Sequence, residues 1–154
     1  MKKFFSLLLL TLSLIGAASI AASAQRSPQP AVDRDPLLEA DAKHNLDVAR
    51  QGFSPLKKAY KQVIYRFEET YAAYPEFSKM DEFLYLAGMS SFYLSENKGK
   101  QKVDMKDDKE KVKFAPDKLR KDAVNYLTQV VEKYPQSTFV SDAKKALDEL
   151  KAGS

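Results

Sequence analysis

YAAYPEF, Tyr71 to Phe77, ends a long apolar-periodic run in a Tyr-Pro pair, and VEKYPQS, Val131 to Ser137, ends another in the same way sixty residues later. Proline has no N–H to donate and its ring clashes with the preceding turn, so Pro75 and Pro135 each stop the helix they follow. Upstream of Pro75, Ala59, Tyr60, Val63, Ile64, Phe67, Thr70, Tyr71 and Tyr74 recur at steps of one, three and four, on one wide helical face. Tyr74 is expected to pack its ring into the joint with its hydroxyl in water. Sliding the chain by sixty residues pairs Val63 with Ala123, Ile64 with Val124, Phe67 with Leu127, Thr70 with Val130, Tyr71 with Val131, Tyr74 with Tyr134 and Pro75 with Pro135. Seven matches of character in thirteen positions indicate an internal repeat.

Reading outward, Ser78 to Leu94 predicts a third helix, and FLYLAGMSSFYL, Phe83 to Leu94, is apolar on nearly every side. Such a helix is buried between neighbours. Toward the N-terminus, Leu38, Ala42, Leu46 and Ala49 mark one narrow stripe of a first helix over Leu37 to Gln51, with Asp35 as N-cap and Pro36 at the first helical position. Gly52 and Pro55 in QGFSP end it, and Ser54-Pro55 is expected to start the second helix. Beyond Pro135, Ser137 is expected to cap a last amphipathic helix through Val140, Ala143, Ala146, Leu147 and Leu150. The chain is therefore all-α, with about five antiparallel helices.

Between the third and fourth helices, residues 95–115 hold seven lysines, five acids and few apolar positions, which describes a charged, loosely structured insertion. Val103 and Met105 against Val112 and Phe114 read as a short hairpin within it. At the start of the chain, Lys2 and Lys3 precede an apolar stretch that ends in Ala22-Ser23-Ala24, the plan of a secretory signal peptide over residues 1–24, cleaved near Ala24. A retained anchor is the alternative. Residues 25–34, with Pro28 and Pro30, read as a flexible tether, and the helical domain as residues 35–151. Export to the periplasm follows from the leader.

Without the leader the formal charge falls from +4 to +2, and the remaining bases and acids are mixed, so nucleic acid is not an expected partner. There is no cysteine, so stability must come from packing, and the thiol that carries lipid in a bacterial lipoprotein is not expected.

Counted back from Pro135, Ala123, Leu127 and Val130 occupy the second-helix positions of a tetratricopeptide repeat, and Leu84, Ala87 and Gly88 the packing positions of its first helix, with the charged segment as an insertion between them. Counted back from Pro75, Tyr60, Val63, Phe67 and Thr70 take the equivalent places. RFEETYAAYPEFSKMDEFLYLAGMSSFYL and AVNYLTQVVEKYPQSTFVSDAKKALDEL resemble the BamD-like proteins of bacterial outer-membrane assembly, over about Leu37 to Leu150. The rhythm is shared with periplasmic repeat proteins that coordinate envelope constriction. The resemblance implies a stack of about two and a half repeats and a non-enzymatic scaffold for other envelope proteins. It also places Glu82, Tyr85, Met89, Phe92 and Tyr93 on a concave wall that receives a partner helix or extended peptide. Packing of these residues against flanking helices is the alternative, as is a self-associating subunit with the third helix against its copy.

His44 shares a helical face with Asp41 and Asp47, but a lone histidine among acids is a poor zinc site, and no metal or cofactor is expected. The serines lie in caps or on apolar helices, Glu68-Glu69 and Asp107-Asp108 diverge as adjacent residues, and the glycines stand singly, so no catalytic or phosphate-binding motif and no small-molecule substrate is expected. The lysines of residues 95–115 allow a weak membrane-surface contact, with a solvated loop as the default.

Overall fold

The computed structural model describes residues 34–153, so the expected leader and all of the expected tether except Arg34 lie outside the described residues. The helices are α1 (Pro36–Phe53), α2 (Tyr60–Ala73), α3 (Met80–Ser95), α4 (Asp108–Lys113), α5 (Pro116–Lys133) and α6 (Val140–Ala152). No strand occurs among the described residues. Of the helices, α1 with α2 and α3 with α5 form two hairpins, and α6 begins an incomplete third. Among the described helices none is long and apolar enough to cross a membrane.

The two Tyr-Pro joints are one turn made twice. Tyr74 N–H donates to Thr70 and Tyr134 N–H to Val130, at 2.7 and 3.2 Å. Phe77 and Ser137 then donate back to the two tyrosine carbonyls, Met80 and Val140 to the carbonyls of Phe77 and Ser137, and Phe83 and Ala143 to those of Lys79 and Phe139. Both prolines are exposed and mark the chain's exit from the helix. Tyr74 is buried, hydroxyl included, rather than wet as expected, because the start of α1 lies over this joint: the Ser78 N–H donates to Glu39, and Arg34 Nε to the Glu76 carbonyl.

Every apolar repeat position is buried: Tyr60, Val63 and Phe67 in α2, Leu84 in α3, and Ala123, Leu127 and Val130 in α5. The central helix is α3, in contact with α1, α2, α5 and α6, and it packs most extensively on α5. The closest approach is at Gly88, where a Cβ would stand 2.7 Å from Leu127 Cγ and 2.9 Å from its Cδ2.

Three local expectations are not met. Ser54 ends α1 instead of starting α2: its N–H and hydroxyl both donate to the Gln51 carbonyl. The start of α2 has no side-chain cap of its own, and Gln101 Oε1 from the insertion accepts the Gln62 N–H at 3.1 Å. Ser137 lies two residues before the N-cap Phe139, where it accepts the Phe139 N–H and donates to Asp81 of α3 at 2.6 Å. In place of a hairpin, the insertion forms α4, capped by Asp107 onto the Lys109 N–H. Phe114 is buried with Tyr60, Ile64, Leu94 and Leu119, which a hairpin partner on Met105 could not have offered it.

Small-to-large changes in a tight contact cost about 1–3 kcal/mol, and truncating a buried leucine about 2–5 kcal/mol. Urea unfolding of Gly88→Ala and Leu127→Ala is expected to show losses in these ranges. The double variant is expected to lose less than the two combined, because the new methyl enters the space that Leu127 vacates.

Candidate functional site

The first helices of the repeats, α1, α3 and α6, touch along one side of the stack, and α3 supplies its middle row. Glu82, in the first turn of α3, is gripped by Arg50 of α1 through Nε to Oε1 and Nη2 to Oε2, both at 2.6 Å. Arg50 also reaches Asp47 at 2.7 Å, and His44 is exposed. The bond to Glu82 is the main reason the Arg50 pKa is raised, with burial opposing. Tyr85, half-buried, stacks on Phe139 at 4.9 Å between ring centroids. Burial, and then Asp142, raise its pKa.

Met89 and Phe92 do not line an open wall. They are 8% and 4% exposed, because both belong to the main core cluster, and Lys98 stands over the Phe92 ring. Glu82, Tyr85 and Tyr93 are the predicted residues that keep accessible surface.

Tyr93 belongs to a ring cluster that only the tertiary structure assembles. Phe53 stacks on it at 6.1 Å, Tyr60 lies at 5.3 Å and Phe92 at 5.9 Å. Lys98 Nζ stands 5.7 Å from the Tyr93 ring centre, within cation–π range. Its ion pair with Glu96, at 2.6 Å, raises the Lys98 pKa. Tyr60 is also raised, first by burial and then by Tyr93. Around this cluster an open cavity of about 440 Å³ is lined by Phe53, Pro55, Lys58, Tyr60, Tyr93 and Lys98. Lys58 reaches it from a left-handed conformation, φ 47°, rare for a residue with a side chain. The Lys58 N–H donates to Ser54 and its carbonyl accepts the Lys100 N–H, which hold that conformation in place.

Chemically, this is an aromatic floor with two ammonium groups at the rim. It suits an apolar or aromatic side chain with an anionic neighbour, presented by a peptide. Sequence reasoning found Tyr93 and missed Phe53, Lys58 and Lys98. The available signal was a phenylalanine between Gly52 and Pro55, an apolar ring in a turn.

A family model described as YfiO, outer membrane lipoprotein, matches residues 35–153. The chain belongs to this family. No curated protein and no solved structure matches it. Membership of the YfiO family accords with the BamD-like rhythm of the Tyr-Pro joints and with the tetratricopeptide-like stack. Within the 154 residues of this YfiO-family chain there is no cysteine.

The insertion is latched beside the ring cluster. Glu110 accepts from Lys61 Nζ at 2.7 Å and from the Asp104 N–H at 2.8 Å, and Lys61 also reaches the Lys102 carbonyl. Lys113 pairs with Glu68 of α2. The hydrogen bond from Lys61, followed by that from Asp104, holds the Glu110 carboxyl below the ordinary value of 4.5. A depressed carboxylate contributes to the folded state above its unfolded pKa and loses that contribution as pH falls through the folded one. Hydrogen exchange is therefore expected to show α4 losing protection below about pH 4.5, well before α3 and α5 do, and Glu110→Gln is expected to remove that pH dependence.

Proposed function

We propose that this chain is a non-enzymatic scaffold of the bacterial envelope, which holds a segment of another envelope protein across α1, α3 and α6. The observation that carries this reading is the accessible Tyr93 at the edge of the ring-and-lysine cavity, in the same helical row as Glu82 and Tyr85. Family membership supports partners in outer-membrane β-barrel assembly, and the apolar leader supports a periplasmic location. Such binding uses shape, ring contacts and charge, and needs no cofactor.

Coordination of envelope constriction is the neighbouring assignment, and the identity of a captured partner distinguishes it from barrel assembly. For a self-associating subunit, α3 would need an apolar face free for a copy. Of its apolar side chains only Tyr85 and Tyr93 keep accessible surface, and the rest are buried against the neighbouring helices.

A photo-crosslinker at position 85 or 93 in cells is expected to capture outer-membrane assembly proteins. Tyr85→Ala/Tyr93→Ala is expected to keep its helicity and to weaken binding to the captured partner by at least about tenfold, the loss typical of a buried aromatic anchor. Products confined to cytoplasmic proteins or to self-links would overturn the proposal.

A further inference from the structure

The folded insertion pairs two of its five acids and leaves more lysines than acids without an ion pair. Glu110 is held by Lys61, and Glu96 by Lys98. Asp104 accepts the Lys106 N–H and Asp107 the Lys109 N–H, and these two with the exposed Asp108 enter no ion pair among the described residues, so they offset part of the lysine charge. Among the lysines, Lys98 and Lys113 are in ion pairs, whereas Lys100 donates to the Leu56 carbonyl and Lys102 to Asn97 Oδ1. Lys106, Lys109 and Lys111 are exposed and enter no ion pair among the described residues.

The Lys100 bond to Leu56, at 2.7 Å, joins the insertion to the turn that carries Lys57 and Lys58. One end of the stack thus collects the C-terminal ends of α1 and α3, the N-terminal ends of α2 and α5, and a surplus of unpaired ammonium groups. Two apolar side chains protrude among them: Leu56 is 80% exposed and Met105 65%. Met105 also borders an open cavity of about 540 Å³ with Leu94, Val103 and Phe114 in its floor and Lys102 and Lys111 at its edge.

We propose that this end docks on an anionic bilayer surface, with Lys57, Lys100, Lys102, Lys106 and Lys111 at the headgroups and Leu56 and Met105 inserted between them. Charge complementarity selects the occupant. Every cation at the tip is a lysine carried on a turn or on the six-residue α4, and none is an arginine. Protein interfaces favour arginine, whose fork needs a fixed partner geometry, and are depleted in lysine. A headgroup layer demands no fixed geometry and accommodates apolar side chains between the cations. This surface adjoins the ring-and-lysine cavity through the turn that carries Leu56 and Lys58, but vesicle binding does not depend on the scaffold reading.

The test is co-sedimentation of the chain from Gln25 onward, which retains every core residue, with vesicles of phosphatidylcholine alone or mixed with phosphatidylglycerol. Binding is expected to the mixed vesicles only, and to decline as salt screens the charges. Each lysine near such a surface contributes about fivefold. Lys102→Glu/Lys106→Glu/Lys111→Glu is therefore expected to weaken binding by well over about tenfold. The glutamine version should lose less and Met105→Ser a few-fold, all with unchanged thermal unfolding. Equal binding to neutral vesicles, or undiminished binding by the glutamate variant, would overturn the proposal. A glutamate variant that still binds vesicles but loses a crosslinked envelope protein would assign the end to an acidic protein partner instead.

Discussion

Where α3 crosses α5, Gly88 lets the Leu127 side chain rest against helix backbone, at a separation that leaves no room for a single methyl group. A glycine inside a helix costs about 1 kcal/mol relative to alanine, and here the close packing offsets it. With α5 drawn in this far, α3 sits inside the stack and touches four other helices. That central position explains why its sequence is apolar all round. It also explains why the row from Glu82 to Tyr93 is accessible only in places: Met89 and Phe92 belong to the core, while Glu82, Tyr85 and Tyr93 keep surface.

The insertion shows how a hydrophilic segment acquires structure. Ordering a residue costs about 1–2 kcal/mol in backbone entropy, and residues 95–115 bury few side chains to offset it. What they contribute instead is complementarity to the start of α2. Gln101 takes the N–H that no local cap satisfies, Glu110 meets Lys61, and Phe114 completes a second apolar cluster around Tyr60 and Ile64. The repeat partner of Ile64 illustrates the same point. Val124 of α5 is 40% exposed, whereas Ile64 is 4% exposed in the cluster that Phe114 completes.

The features legible in the sequence were those governed by local physics. Proline sterics and helical periodicity set the two joints, the five long helices and the buried repeat positions, and the same four backbone bonds recur at both joints. The Asp35 cap is local too, and its carboxylate accepts the N–H groups of Leu37 and Leu38. The tetratricopeptide resemblance placed Tyr85 and Tyr93 on one wall of α3, where both keep accessible surface.

By itself, then, the sequence determined an all-α repeat stack and its register, because a helix's period and its stop signals act within a few residues. Only the tertiary structure decided that Gln101 would serve the start of α2, that Ser137 would turn to Asp81, and that Met89 and Phe92 are covered. It alone brought Phe53, Tyr60, Tyr93 and two lysines around one cavity. Those outcomes depend on segments some forty residues apart meeting in space, and no local period or propensity encodes which surfaces will meet.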